Sequence, residues 1–355
     1  MSTILGIEST CDETACAIVI DGTSVRSSVI ASQVELHAKY RGVVPEIASR
    51  AHIENILPVI REAVAAGGIS LDDVDAVAVA HRPGLIGSLL ISVTAAKTLA
   101  WALGKPLIAV DHVQAHLYSV VLDAIKQAPD VHPGLRTASV DFPAVGMVCS
   151  GGHTALYQLN NWSDIKMIGS TIDDAVGEAY DKVAAILGLG YPGGPIIDRL
   201  AIDGDPASIK FPRTLLDRDS LDFSFSGLKT AVLYHVRGVP TKRDPQASPK
   251  PAPDEKEIRN IAASFQAACL DVITKKLRRS IDQFDARSVI IGGGVSANRG
   301  LRSALSSFPV PVYFPAMEYC TDNAAMIAGL AHILFAAGQF AALDLDAITY
   351  SQFRR

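Results

Sequence analysis

Ile4-Leu5-Gly6-Ile7, Ala15-Cys16-Ala17-Ile18-Val19-Ile20 and Val25-Arg26-Ser27-Ser28-Val29-Ile30-Ala31 are three short β-forming runs in immediate succession. Asp21-Gly22 parts the second from the third, a strong hairpin signal because both residues tolerate the positive φ of a tight turn. Outward from this opening, Pro45–Ala66 has the apolar spacing of an amphipathic helix, in which Pro58 predicts a kink. A strand over Val74–Ala80, a helix over Ile86–Leu103, a strand over Leu107–Val110 and a helix over His112–Ile125 follow. The order is βββαβαβα.

After a Pro/Gly/Asp-containing stretch over Lys126–Asp141, which reads as a linker or surface loop, the same order returns. Three strand-like runs (Pro143–Cys149, Thr154–Leu159 and Ile165–Gly169) precede helical material over Asp174–Leu187 and several later segments. A strand over Arg287–Ile291, a helix over Ala297–Ser307, a strand over Val310–Phe314 and a helix over Asp322–Ala337 complete the copy. Gly238–Asp254, rich in Pro, Lys and Asp, reads as a flexible insertion. The halves share no visible sequence similarity, so the repeat rests on pattern alone. This α/β order resembles the actin, sugar kinase and Hsp70 superfamily, in which two ribonuclease-H-like domains enclose a nucleotide-binding cleft. The expected domains are 1–125 and 140–321, with the last helix (322–338) packing back on the first.

Composition agrees with two folded domains. The 355 residues are 49% hydrophobic and 19% charged, enough to bury a sizeable core and to exclude general disorder. No stretch approaches the ~18 apolar residues of a membrane span, and Met1-Ser2-Thr3-Ile4 lacks the basic-then-apolar character of a signal peptide. The expectation is a soluble cytoplasmic protein with no membrane partner. The net charge of −5 makes the surface as a whole unattractive to nucleic acid, so RNA binding would need a local patch or a partner. The densest basic cluster, Lys275-Lys276-Leu277-Arg278-Arg279, and the stretch holding Lys39, Arg41 and Arg50 both read as solvated faces. Cys11, Cys16, Cys149, Cys269 and Cys320 are odd in number and without a Cys-x-x-Cys, which fits reduced thiols.

Chemistry concentrates at the turns. Glu8-Ser9-Thr10-Cys11-Asp12-Glu13-Thr14 puts acids between two apolar strands, where they can orient a nucleophile or accept its proton; a plain hairpin turn is the simpler reading. Its counterpart, Val148-Cys149-Ser150-Gly151-Gly152-His153-Thr154, lets backbone N–H groups approach an anionic ligand unobstructed by Cβ atoms. Gly292-Gly293-Gly294-Val295-Ser296-Ala297-Asn298 lies where a strand gives way to a helix, a place suited to a nucleotide, although helix packing also favours small residues there. Asp181, and Asp198 one turn beyond Tyr191-Pro192-Gly193-Gly194-Pro195, can hold hydroxyl groups or simply face solvent. The sharpest local signal is His112-Val113-Gln114-Ala115-His116. Positions i and i+4 share a helix face, so two imidazoles can reach one metal ion, and Thr321-Asp322-Asn323 offers a third ligand unless it serves only as a helix cap.

Taken together, these segments resemble the tRNA threonylcarbamoyladenosine transferase family, called TsaD in bacteria. The supporting strings run in order over nearly the whole chain. They are Gly6–Thr14, Val44-Pro45-Glu46-Ile47-Ala48-Ser49-Arg50-Ala51-His52, His112–His116, Ser150–Thr154, Asp173–Lys182, Tyr191–Gly194, Phe225-Ser226-Gly227-Leu228-Lys229-Thr230, Gly292–Asn298 and Cys320-Thr321-Asp322-Asn323-Ala324-Ala325-Met326. The resemblance implies that His112, His116 and Asp322 are metal ligands, for Fe2+ foremost and Zn2+ as the alternative. It implies substrate binding by Val148, Cys149, Ser150, Gly151, Gly152, Asp181, Gly194, Asp198 and Asn298, and acids of the catalytic centre at Asp12 and Glu13. The implied reaction moves threonylcarbamoyl from threonylcarbamoyl-AMP to N6 of the adenosine just 3′ of a tRNA anticodon (adenosine-37), with a TsaB-like paralogue and a TsaE-like ATPase as partners. Two positions depart from the family pattern: Arg82 in Arg82-Pro83-Gly84-Leu85, and Ser92, both of which are usually glycine. Lys126–Asp141 and Gly238–Asp254 are longer than the compact pattern.

Two other functional classes fit the sequence less well. A metalloprotease built on the histidine pair lacks the His-Glu-x-x-His base, since Val113 follows the first histidine and cannot take a proton. A non-catalytic nucleotide-binding scaffold would be marked by lost metal ligands, whereas all three candidates are present.

Overall fold

The computed structural model describes residues 1–40, 42–123, 140–217, 219–239 and 251–350. Arg41, all but the last two residues of the linker read over Lys126–Asp141, and residues 240–250 of the expected insertion lie outside the described residues. The first half contains β1 (Thr3–Glu8), β2 (Glu13–Ile20), β3 (Ser24–Ser32), α1 (Val34–Ala38), α2 (Pro45–Gly67), β4 (Ala76–Arg82), α3 (Ile86–Leu103), β5 (Leu107–Asp111) and α4 (His112–Tyr118). The second begins with β6 (Ala144–Cys149), β7 (Thr154–Asn161), β8 (Asp164–Ser170), α5 (Val176–Ile186), α6 (Gly193–Ala201) and α7 (Ser226–Arg237). It continues through α8 (Glu255–Phe284), β9 (Ser288–Gly292), α9 (Arg299–Leu305), β10 (Val312–Tyr313) and α10 (Ala324–Ala336).

The two five-stranded sheets have one topology. In the order β3-β2-β1-β4-β5, the first three strands are antiparallel neighbours and β1, β4 and β5 run parallel. The order β8-β7-β6-β9-β10 repeats this pairing strand for strand. Asp21 (φ 50°) and Gly22 (φ 73°) both occupy the left-handed region at the first hairpin, as the sequence predicts.

Side-chain size divides the first sheet into two faces. Leu5, Ile7, Cys16, Ile18, Val77 and Val79 point to the core under α2 and α3, while Ala15, Ala17, Ala76, Ala78 and Ala80 point to α10. These small residues let α10 lie close. A Cβ on Gly6 would stand 2.5 Å from the Ala324 carbonyl oxygen. The chain therefore crosses between sheets twice. α4 buries Ala115 and Tyr118 in the α10 core but Val113 and Leu117 in the core under β6, β7 and β9, and α10 returns to the first sheet after β10.

Several expectations change. The helix expected to reach Ile125 ends at Tyr118, followed by a 3-10 turn over Ser119–Val121. Asp123 (φ 49°) turns the chain, its carboxylate accepting from the Val25 N–H at 3.0 Å and the Tyr319 hydroxyl at 2.8 Å. α3 is, by length and composition, apolar enough to cross a membrane, which corrects the expectation that no segment approaches that limit. Here it is a helix packed on the first sheet through Leu89, Val93, Ala96 and Ala100. Lys276 does not belong to a solvated face: it is fully buried, and its ammonium donates to the carbonyls of Leu215 (2.7 Å) and Ser220 (2.5 Å). All five cysteines are free thiols.

Candidate active site

The two crossing elements carry the metal-ligand candidates. Asp111 caps α4, its Oδ1 accepting from the N–H groups of Val113 (3.0 Å) and Gln114 (3.2 Å), so His112 and His116 stand one turn apart from the first residue of the helix. At α10 the cap is Asn323, whose side chain accepts from the Met326 N–H at 2.9 Å. Asp322 is thereby released from capping and faces the histidines. His116 Nε2 lies 3.1 Å and His112 Nε2 3.6 Å from Asp322 Oδ1, and one ligand atom from each of the three residues falls within 4.8 Å of the others.

The surroundings prepare these groups for a cation. Glu8 Oε2 accepts from His112 Nδ1 at 2.9 Å, which turns Nε2 toward the centre and raises its basicity. Glu8 Oε1 in turn accepts from the Thr10 N–H at 2.6 Å. Burial opposes charge on His112, but Glu8 and Asp322 outweigh it and hold the pKa up to about 9, so ligation displaces a proton. Burial lowers the pKa of His116 and keeps it neutral, the form that ligates; its Nδ1 is buried without a hydrogen-bond partner. Burial opposes ionisation of Asp322 too, yet the two histidines hold its carboxyl well below the usual range. Two imidazoles and an ionised carboxylate converging on one point fit a divalent transition metal.

A cavity of about 690 Å³ opens beside this centre, walled by both halves. Asp12 and the backbone turn at Thr10 and Cys11 line it from the first sheet, with His112; Ser150, Gly151, Gly152, Asp181 and Asp322 line it from the second half. A Cβ on Gly151 or Gly152 would meet nothing within 4 Å, so this turn leaves open space for a ligand. The turn is pinned by the Ser150 N–H donating to the His153 carbonyl (2.8 Å) and the His153 N–H donating to Ser150 Oγ (3.1 Å). Glu13 does not line the cavity; it is half-buried and its carboxyl accepts from Ser32 Oγ at 3.0 Å. Burial first, then the charges of Asp322 and Asp12, push its carboxyl up to about 9, so it is protonated at neutral pH.

The remaining candidates fall into two groups. Asp181 accepts from the Gly193 N–H at 2.7 Å and so holds the start of α6, while Gly194 beside it has no atom within 4 Å of a Cβ position. Asp198, Asn298 and Gln266 form a buried network at the start of α9: Gln266 Nε2 donates to Asp198 Oδ1 at 3.2 Å, Asn298 Nδ2 donates to Gln266 Oε1 at 2.8 Å, and Asn298 caps the helix. These two do not line the cavity, nor do Val148 and Cys149, which are fully buried in β6. The triple glycine proves a packing device at two of its positions. A Cβ on Gly292 would stand 2.4 Å from the His116 carbonyl oxygen, and one on Gly293 (φ 85°) 2.4 Å from that of Cys149. It opens on a 3-10 turn over Gly294–Ala297, not directly on α9.

Sequence reading quoted His153, Lys182 and Tyr191 inside its motifs without giving them a role, and all three line the cavity; Glu8, read only as one of the acids of the first turn, ends β1 beside His112. Arg82, a departure from the family pattern, donates through Nε to Asp111 Oδ2 at 3.1 Å and so braces the cap of α4. Ser92, the other, is buried and bonds within α3 to the Leu89 carbonyl at 3.2 Å.

Comparison with known proteins agrees with this geometry. The profile of the TsaD family, tRNA N6-adenosine threonylcarbamoyltransferase, matches residues 24–329. A protein of that name from Moorella thermoacetica is 50% identical over 352 residues, covering 97% of this chain and 95% of the relative; one from Symbiobacterium thermophilum is 46% identical over 349 residues with the same coverage. Among solved structures, HypF in its phosphate- and nucleotide-bound form superposes with a TM-score of 0.60 at 14% identity, covering 96% of this chain and 47% of that one. The Acidaminococcus fermentans (R)-2-hydroxyglutaryl-CoA dehydratase component A does so with 0.51 at 14% identity, covering 95% and 100%. At that identity the likeness speaks for the fold alone. The match over most of the chain, together with relatives this similar along their whole length, makes this protein a member of the tRNA N6-adenosine threonylcarbamoyltransferase (TsaD) family.

Proposed function

We propose that this chain transfers the threonylcarbamoyl group of threonylcarbamoyl-AMP to N6 of adenosine-37 in tRNAs that read codons beginning with adenine, releasing AMP. The observation that carries this reading is the convergence of His112, His116 and Asp322 beside a cavity walled by a Ser-Gly-Gly turn and by Asp12, in a chain of this family. The exocyclic amine is a poor nucleophile because its lone pair is delocalised into the ring. His112, His116 and Asp322 would hold a divalent ion, iron(II) foremost and zinc as the alternative, which would supply Lewis-acid polarisation of the carbamoyl carbonyl. The Ser150, Gly151 and Gly152 turn receives the phosphate of the donor and Asp181 holds the nucleoside side, while Gly194, Asp198, Asn298, Val148 and Cys149 shape that side from behind the wall. The N6–carbonyl bond forms, the carbonyl–phosphate oxygen bond breaks, and the N6 proton passes to Asp12, with Glu13 next to it as the second acid of the catalytic centre.

The domain division at 1–125 and 140–321, with residues 322–338 returning to the first, is part of this reading, as is a cytoplasmic site of action. So is dependence on protein partners, a TsaB-like paralogue and a TsaE-like ATPase. With a net charge of −5 the chain has little of its own with which to neutralise tRNA phosphates. Ile53 and Leu57 on α2 and Ile86 and Leu90 on α3, each 49–60% exposed, form i,i+4 pairs on two packed helices, a surface suited to a partner's helices. Incubating the purified chain with threonylcarbamoyl-AMP, unmodified tRNA and these partners, with metal analysis of the same sample, tests the reading. Modified adenosine with release of AMP supports it; no modification by metal-loaded protein with all partners present overturns it.

A further inference from the structure

The motif ending in His52 is among the strings that mark the family, yet His52 lies outside the cavity and has no part in the reaction above. It is fully buried on α2. Its Nε2 lies 3.0 Å from the Cys11 carbonyl oxygen and its Nδ1 2.8 Å from Thr14 Oγ1. A carbonyl only accepts, so Nε2 carries the proton and Nδ1 receives the threonine hydroxyl; the tautomer follows from the partners. Burial lowers the pKa of this ring and keeps it in that neutral form.

The same carbonyl takes a second donor from the other helix of the pair. Ser88, fully buried on α3, donates through Oγ to the Cys11 carbonyl at 3.2 Å, while its own carbonyl accepts from Ser9 Oγ at 2.7 Å. Both acceptor positions of the Cys11 oxygen are thus used, one by α2 and one by α3. The neighbouring peptides are tied as well: the Leu85 N–H donates to the Thr10 carbonyl at 2.9 Å, and the Gln33 N–H to the Asp12 carbonyl at 3.1 Å. Gly84 lies against the same turn, where a Cβ would stand 2.6 Å from the Thr10 carbonyl oxygen. The peptide that this doubly bonded carbonyl belongs to is the one joining Cys11 to Asp12.

From this geometry we propose that His52 and Ser88 are positioning residues for the transfer step. By fixing the Cys11–Asp12 peptide from two helices, they hold the Asp12 carboxylate at the cavity wall in the orientation that receives the proton. This rests on the reading that Asp12 and Glu13 serve the transfer. A displacement of well under an ångström at a proton acceptor costs rate without altering how the donor or the metal binds.

The test is single-turnover transfer by the metal-loaded full chain, with partner proteins constant and saturating threonylcarbamoyl-AMP and unmodified tRNA. Ser88→Ala, His52→Leu and His52→Gln are compared, because glutamine places an N–H near the Nε2 position. Ser88→Ala and His52→Leu are expected to transfer at least about tenfold more slowly, with donor dissociation constant, metal content and KM for tRNA within about twofold of the native values. His52→Gln is expected to recover most of the rate. Native-like rates in both Ser88→Ala and His52→Leu, where Asp12→Asn or Glu13→Gln has lost transfer, would overturn the proposal and leave the reading of the acids standing. Equal loss in His52→Gln and His52→Leu, or a parallel loss of donor affinity, would show a structural role only and would also overturn it. Native transfer in both Asp12→Asn and Glu13→Gln would remove the reading itself, and the proposal with it.

Discussion

His116 Nε2 and Asp322 Oδ1 lie 3.1 Å apart although 206 residues separate them, and the two elements that cross between the sheets bring them together. Asn323 takes over the cap of α10 and leaves the Asp322 carboxylate free for the centre. Replacing His112, His116 or Asp322 by Ala is expected to remove most bound metal while leaving the circular dichroism spectrum unchanged. Full metal occupancy in His116→Ala protein, read by elemental analysis, would dismiss the assignment.

Glu8 holds His112 through Nδ1 and lies outside the group of three candidate ligands. Glu8→Gln should keep all three ligands yet lower metal affinity by roughly 10- to 100-fold, as loss of such a carboxylate partner does elsewhere. Competition against a chelator of known affinity measures this, and unchanged affinity would refute it.

Gly6 meets α10 with no room for a methyl group. Gly6→Ala has to push α10 off β1, costing about 1–3 kcal/mol of stability as overpacking typically does. Asp322 stands just ahead of α10, so the same variant is expected to bind metal more weakly. A stability curve and a metal titration on the one protein check both halves, and a variant with native stability contradicts the close approach.

His153 titrates in acid. Burial first, and then the neighbouring His112 and His116, lower its pKa to about 4 from an unfolded value near 6.5. Between these values the unfolded chain binds the proton and the folded chain does not, so stability is lost as pH falls from about 6.5 to about 4. The slope from this one group reaches at most about 1.4 kcal/mol per pH unit. In metal-free protein, denaturant midpoints across that window should fall less steeply for His153→Gln than for the native chain; identical slopes would exclude His153 as the cause.

Lys276 secures the segment before α7 through the carbonyls of Leu215 and Ser220. Lys276→Ala takes the donor from the Leu215 carbonyl, while the Ser220 carbonyl keeps Arg279 at 2.8 Å, and a loss of about 1–3 kcal/mol is expected. Limited proteolysis should then cut first between residues 211 and 222. Native protease resistance there would show that the ammonium is dispensable.

Much of the architecture was legible in the chain itself, because local patterns answer to local forces. The apolar β-forming runs Ile4–Ile7 and Ala15–Ile20, and the Asp21-Gly22 turn, specify a hairpin whichever sheet receives it. His112 and His116 share a face because helical periodicity dictates it. Family resemblance supplied Asp322, which local reading could offer only as a ligand or a helix cap. What tertiary structure alone decided is which polar group meets which. That Glu8 orients His112 from 104 residues away depends on β1 lying beside the crossing helix. That Gly292 and Gly293 pack against carbonyls, and that Lys276 is buried, depends on close approaches that no sequence spacing encodes. Hydrophobic periodicity reports the face a residue belongs to; the partner on that face is chosen only when distant elements pack and every buried polar atom must find one.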